Sequence, residues 1–152
     1  MKSRLIKGFS LIELMVAVAI VGILAAVAMP SYSSHVIKGA RVAAQTELLE
    51  LSSLQEKIYL NSNPNAYVVT TAAVSAAYVG TTLGGLGKTG GTTSDNKYII
   101  ALSGTGQTYT LTATPATNIQ QSGDGCLTLQ ENGLRQWHEN NDACNSAAPR
   151  AW

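Results

Sequence analysis

Lys7-Gly8-Phe9-Ser10-Leu11-Ile12-Glu13-Leu14 opens an apolar run that continues to Met29. From Phe9 to Met29 the run holds 21 residues with Glu13 as its only charge. As a helix it would span roughly 30 Å, enough to cross a bilayer. Ahead of it Lys2, Arg4 and Lys7 form a short basic segment, which would stay on the cytoplasmic side and orient the remainder outward. Together these features read as an export and membrane signal. An ordinary signal peptide ends its apolar run in a small-residue cleavage site. Here the expected break is the Gly8/Phe9 junction in front of the run, so the apolar helix would stay on the product.

Of the 152 residues, eight lie before that junction and about twenty more in the apolar run, leaving roughly 120 for one further domain. The expected division is a cleaved leader at 1–8, a transmembrane or filament-core helix at 9–30 and an exported head at 31–152. Charged residues make up 12 % of the chain, about half the usual share. The three leader cations leave seven bases against nine acids, a formal −2. Beyond Tyr59 the bases Lys88, Lys97, Arg135 and Arg150 are scattered among acids, so no basic block is visible in linear order, although folding could gather some into a patch. Cys126 and Cys144 are the only cysteines. In an oxidising compartment such a pair reads as a disulfide, worth roughly 3 kcal/mol for a loop of about 19 residues in the chain-entropy model.

The helical pattern continues past Pro30. Tyr32, Val36, Ala40, Ala44, Leu48, Leu51, Leu54 and Ile58 recur at steps of three and four, placing them on one stripe. Ser34, Lys38, Arg41, Gln45, Ser52 and Gln55 fall mostly on the other side, so residues 31–61 read as an amphipathic helix. The polar cluster at 61–65 with Pro64 supplies the stop. Gly22, Pro30 and Gly39 interrupt the helix, and a kink is expected near Pro30. Residues 62–97 form a weakly patterned connection, with Tyr67-Val68-Val69 as a candidate short strand and a glycine-rich loop from Gly80 to Gly91. Strands are expected at Tyr98-Ile99-Ile100-Ala101-Leu102, from Thr108 to Ala113, at Cys126-Leu127-Thr128-Leu129-Gln130 and at Leu134-Arg135-Gln136-Trp137. Asn132-Gly133 between the last two is a hairpin signal, because that dipeptide accepts positive φ. The fold class is α+β: a long N-terminal helix whose stripe from Val36 to Ile58 packs on a small antiparallel sheet, with a disulfide-closed region at 98–152.

The string KGFSLIEL, the aliphatic run after it and Pro30 resemble the N-terminus of type IV prepilins. The segments from Arg41 (RVAAQTELLEL), Gln55 (QEKIY), Tyr109 (YTLTATP), Gly125 (GCLTL) and Asn132 (NGL) are similar to the minor-pilin subgroup that includes PilE-type and DNA-uptake pilins. The match departs after Cys144, where eight further residues follow. The resemblance implies the type IV pilin fold, cleavage after Gly8 by a prepilin peptidase and N-methylation of Phe9. It further implies that Glu13 pairs with the methylated N-terminus of a neighbouring subunit, and that the segment from Gly22 to Pro30 loses helical structure in assembled pili. The implied function is that of a structural subunit, a minor pilin in pilus assembly and pilus-dependent adhesion or twitching motility. Its partners would be other pilins and the inner-membrane assembly machinery, with a single-pass inner-membrane state preceding the extracellular pilus. Alternatives are a DNA-receptor pilin, a major pilin and a type II secretion pseudopilin.

A carboxylate at the centre of a membrane helix costs about 2.5 to 3.5 kcal/mol, so Glu13 is expected to have a partner or a function. The loop from Thr82 to Thr89 contains Gly-Lys-Thr but lacks the first glycine of a phosphate-binding loop, and it reads as surface loop. Trp137 and Trp152 are expected to fill the sheet's core or an interface. No catalytic spacing or metal-ligand motif stands out, so no enzyme activity and no cofactor or metal are expected, and nucleic acid is the less favoured partner.

Overall fold

The computed structural model describes residues 9–62, 64–68, 91–117 and 120–152. The Gly8 side of the processing junction, Val69, the glycine-rich stretch before Gly91 and the loop from Thr82 to Thr89 lie outside the described residues. The chain divides into two compact units, Met1–Val36 and Ile37–Trp152. A single helix, α1, is assigned from Leu11 to Asn61, with Gly22, Pro30 and Gly39 inside it. Four strands follow: β1 (Tyr98–Gly104), β2 (Tyr109–Pro115), β3 (Gly125–Gln130) and β4 (Arg135–Glu139). They form one antiparallel sheet in the order β1-β2-β3-β4.

Among the described residues the first unit is helical from Leu11 and has no buried side chain. Its large apolar side chains are exposed, from Phe9 at 77 % to Met29 at 71 %, and α1 is long and apolar enough here to cross a membrane. Tyr32, expected to begin the buried stripe, is also exposed. The stripe takes hold only where small residues allow close approach: Ala40, Ala44, Leu48 and Leu51 are buried, and Leu54 and Ile58 pack at the margin.

The first two strands answer with alternation. Tyr98, Ile100 and Leu102 of β1 and Tyr109, Leu111 and Ala113 of β2 are buried, while the residues between them are more exposed. Cross-strand register lines these up as Ile100, Ala113, Leu127 and Trp137 in one row and Leu102, Leu111 and Leu129 in the next. Because side chains alternate with period two, a one-residue slip would expose the whole set. Two turns depend on glycine. Gly133 takes φ +80° in the β3–β4 loop, where its N–H donates to the Gln130 carbonyl at 2.9 Å and the Asn132 side chain accepts the Leu134 N–H at 2.9 Å. Gly125 has φ +99°, and a Cβ there would run into the His138 carbonyl.

Tyr67 and Val68 are not part of a strand. The Tyr67 N–H donates to the Gly106 carbonyl at 2.8 Å, and Val68 is held through its backbone by a helix side chain, so local β propensity gives way to side-chain tethering. The helix stop is as expected in place, with Ser62 bonding back to the Tyr59 carbonyl at 3.1 Å and accepting the Ala66 N–H at 2.8 Å.

Burial, followed by hydrogen bonding to Asp124, raises the Tyr98 hydroxyl pKa well above 10, and burial raises that of Tyr109. In the unfolded chain both ionise near pH 10. Above that pH the native state holds more protons than the unfolded one. The stability contributed is therefore full below pH 10 and falls as the pH rises towards the folded-state values. Urea denaturation of the detergent-solubilised chain, followed by circular dichroism, should lose up to about 1.4 kcal/mol per pH unit for each tyrosine above pH 10, and Tyr109→Phe should flatten that slope.

Candidate functional site: the assembly surface and the polar contacts of the head

In the first unit the chemistry is concentrated at the start of α1. Ser10 is the helix N-cap: its Oγ accepts the Glu13 N–H at 3.3 Å, and its carbonyl accepts the Leu14 N–H at 3.2 Å. Ser10-x-x-Glu13 is thus the spacing of a capping box, a signal that the periodicity reading passed over. The cap satisfies a backbone donor that would cost several kcal/mol if orphaned in hydrocarbon. It also fixes Glu13 in the first turn, where a carboxylate complements the positive end of the helix dipole. Phe9 lies just outside the cap and Glu13 just inside it. Along the exposed apolar surface that runs to Met29, Glu13 is the one charged side chain.

In the second unit three polar residues of α1 do the opposite of what the stripe suggested, while Lys38 is exposed as expected. Arg41, Ser52 and Gln55, expected on the solvent side, all turn towards the sheet and its loops. Gln55 is fully buried and clamps Val68 from both sides: its Nε2 donates to the Val68 carbonyl at 3.0 Å and its Oε1 accepts the Val68 N–H at 2.9 Å. The Ser52 hydroxyl lies 2.8 Å from the Tyr109 hydroxyl. Glu47, also buried, accepts the Ser94 N–H at 2.7 Å. The physical reason is that loops crossing an apolar sheet carry backbone groups that need partners, and the nearest polar atoms belong to the helix.

Asp124 gathers the most contacts. Arg41 donates to both carboxylate oxygens, the Nε bond at 2.9 Å, while Tyr98 Oη and Gln121 Nε2 donate to Oδ2, the latter at 2.9 Å. The Asp124 side chain is only 6 % exposed. Hydrogen bonding to Asp124 raises the Arg41 pKa still further, so the guanidinium stays cationic. The Arg41 guanidinium also lies over the Trp137 ring, 3.7 Å from its centroid, and the Trp137 indole N–H donates to the Asp124 carbonyl at 3.1 Å.

Cys126 and Cys144 are disulfide-bonded, with Cα atoms 5.4 Å apart. Asp142 within that loop accepts the Gly123 and Gly125 N–H groups at 2.8 and 2.9 Å, holding the turn that carries Asp124. Beyond Cys144, Arg150 pairs with Trp137 as an isolated antiparallel bridge and with Glu139 as an ion pair at 2.8 Å. Arg135 lies over the Trp152 ring at 5.7 Å. Arg41 and Arg135 thus each lie over an indole and Arg150 bonds the Trp137 backbone, a gathering around β4 that linear order does not display.

Residues 3–29 match a family model described as "Prokaryotic N-terminal methylation motif". Residues 30–130, more than half of the chain, match another described as "Type IV minor pilin ComP, DNA uptake sequence receptor". The helix on its four-stranded antiparallel sheet agrees with these matches, and the chain belongs to the type IV pilins. Within them it falls in the family of that second model. It is similar to a fimbrial protein of Neisseria meningitidis serogroup B, 43 % identical over 80 residues, 48 % of this chain and 46 % of the relative. A type IV major pilin protein PilE of Neisseria gonorrhoeae is 42 % identical over 80 residues, 48 % of this chain and 47 % of the relative. The fimbrial protein EcpB of Eikenella corrodens is 35 % identical over 94 residues, 45 % of this chain and 59 % of the relative. The chain spans about half the length of the curated relatives it matches. Type IV pilins are structural proteins that assemble with one another into pili, and an exposed apolar N-terminal helix is consistent with membrane anchoring before that association.

Removing one partner of a buried ion pair leaves the other uncompensated. Asp124→Ala should destabilise the second unit by about 3 to 5 kcal/mol, measured by chemical denaturation, because Arg41, Tyr98 and Gln121 lose their acceptor together. Gln55→Leu should cost less, about 1 to 3 kcal/mol, since it orphans only the Val68 backbone.

Proposed function

We propose that the chain is a minor type IV pilin whose work is assembly rather than catalysis. The observation that carries the reading is the exposed apolar surface from Phe9 to Met29 with Glu13 as its single charge. In this reading a prepilin peptidase removes residues 1–8 after Gly8, and the new amino group of Phe9 is methylated. The helix of residues 9–30 then waits as a single span of the inner membrane with the head of residues 31–152 in the periplasm. Assembly machinery moves the subunit into an extracellular filament serving adhesion or twitching motility. Leaving lipid for a bundle of helices yields little hydrophobic gain, because both surroundings are apolar. Selectivity must come from specific contacts, and Glu13 with the methylated Phe9 amine of a neighbour is the strongest on offer. Helical structure between Gly22 and Pro30 gives way in the filament, where glycine and proline make that stretch the weakest.

Glu13→Ala should leave cleavage at Phe9 and N-methylation intact by mass spectrometry while lowering the subunit in sheared pili at least tenfold; normal incorporation would overturn the reading. Low abundance relative to another pilin in the same preparation is expected of a minor subunit.

A second reading, a DNA-receptor pilin, is favoured by the description of the matched family and by Arg135, Arg150, Trp137 and Trp152 lying together. Arginine supplies phosphate contacts and indoles supply stacking surface. Asp124 and Glu139 answer Arg41 and Arg150, which leaves Arg135 as the arginine without an ion pair among the described residues. A gel shift with duplex DNA that weakens steeply as salt rises, and that Arg135→Ala reduces, is the expected result.

A further inference from the structure

Three tyrosines meet where α1 ends. The rings of Tyr59 and Tyr67 stack with centroids 4.6 Å apart and planes 30° from parallel, and Tyr67 meets Tyr109 edge-on at 4.8 Å. Tyr109 is buried, with its hydroxyl held by Ser52. Tyr59 and Tyr67 are half-buried, and among the described residues they are the pair of tyrosines that are both in ring contact and within reach of solvent. The Tyr67 hydroxyl donates to Glu56 Oε1 at 3.0 Å, and Glu56 is exposed. Burial, followed by that hydrogen bond, pushes the Tyr67 pKa up to about 12, so the phenol keeps its proton at neutral pH. Its backbone is fixed on both sides, by the Gly106 carbonyl and by the clamp of Gln55 on Val68. Polymerisation through the apolar helix uses none of these contacts.

We propose that Tyr59 and Tyr67 form an oxidative cross-linking site, at which a haem peroxidase charged by hydrogen peroxide joins the two rings into a bityrosine. Each phenol gives up one electron to the peroxidase together with its hydroxyl proton. For Tyr67 the proton passes to Glu56, a carboxylate already within hydrogen-bond distance, and from there to water. The two phenoxyl radicals pair through ring carbons ortho to the hydroxyls, forming one C–C bond. Each of those carbons then releases its hydrogen as a proton, and each oxygen takes a proton back. Two hydrogens leave the chain in all, and one hydrogen peroxide becomes two waters. Stacking holds the two radicals at high effective concentration, so coupling within the chain outruns coupling between chains. The disulfide of the same head fits maturation in an oxidising compartment, where such an oxidant can act. The link fastens the last turns of α1 to the chain beyond Pro64.

The test treats the full chain in detergent, at low concentration, with a haem peroxidase and hydrogen peroxide. Trypsin then releases residues 58–88 as one peptide, since no lysine or arginine lies between Lys57 and Lys88. That peptide should be lighter by two hydrogens, should carry the blue fluorescence of bityrosine and should give no fragments from breaks between Tyr59 and Tyr67. Tyr59→Phe and Tyr67→Phe should each lower the yield at least tenfold, while Tyr32→Phe leaves it unchanged. Glu56→Gln, which keeps the shape but cannot take up the proton, should slow the initial rate several-fold. An unchanged peptide mass, fragments that place the link at Tyr78, or a product formed only between chains overturns the proposal. An undiminished rate in Glu56→Gln overturns the part given to Glu56. Mapping on the unaltered chain decides the site even should a variant fail to fold.

Discussion

The buried carboxylate of Asp124 is the point on which the head depends. It receives Arg41 from the helix, Tyr98 from β1 and Gln121 from the loop that leads to β3. A charge this buried is tolerated only when paired and fully hydrogen-bonded, so each donor holds the others in place. The backbone around Asp124 is fixed in turn by Asp142, by the positive φ of Gly123 and Gly125, and by the disulfide that closes residues 126–144. The network therefore ties the helix to the one part of the sheet that is most irregular.

The two units of the chain use one helical pattern in different ways. Along Phe9 to Met29 apolar residues cover every side and stay exposed, as a helix destined for lipid or for other helices requires. From Ala40 onward only one stripe is apolar, and its first two members are alanines, which let the sheet approach closely. The remaining helix surface is neither inert nor simply solvated. Arg41, Glu47, Ser52 and Gln55 act as partners for backbone and side-chain groups that the sheet and its loops cannot satisfy themselves.

Membership of the type IV pilins rests on both halves of the chain; the matched family is described as a minor pilin, whereas one similar relative is named a major pilin. The physical features do not divide in that way. An exposed helix with one capped glutamate describes any subunit that must polymerise. The head adds an edge at which Arg41 and Arg135 lie over Trp137 and Trp152 and Arg150 bridges to β4.

Sequence alone determined the apolar run, Glu13 as its single charge, the helix stop after Asn61, the four strands to within two residues of their ends and the pairing of the two cysteines. These follow from local rules: hydropathy, period and the chemistry of glycine, proline and cysteine act over a few residues and need no knowledge of the rest. Tertiary structure decided the roles of Arg41, Ser52 and Gln55, the convergence on Asp124 and the bridge from Arg150 to Trp137. A polar residue on a helix looks the same in sequence whether it meets water or an orphaned backbone group. Which of the two it meets depends on partners more than ten residues away, in the case of Arg41 and Asp124 more than eighty, and only the folded chain brings them within hydrogen-bond distance.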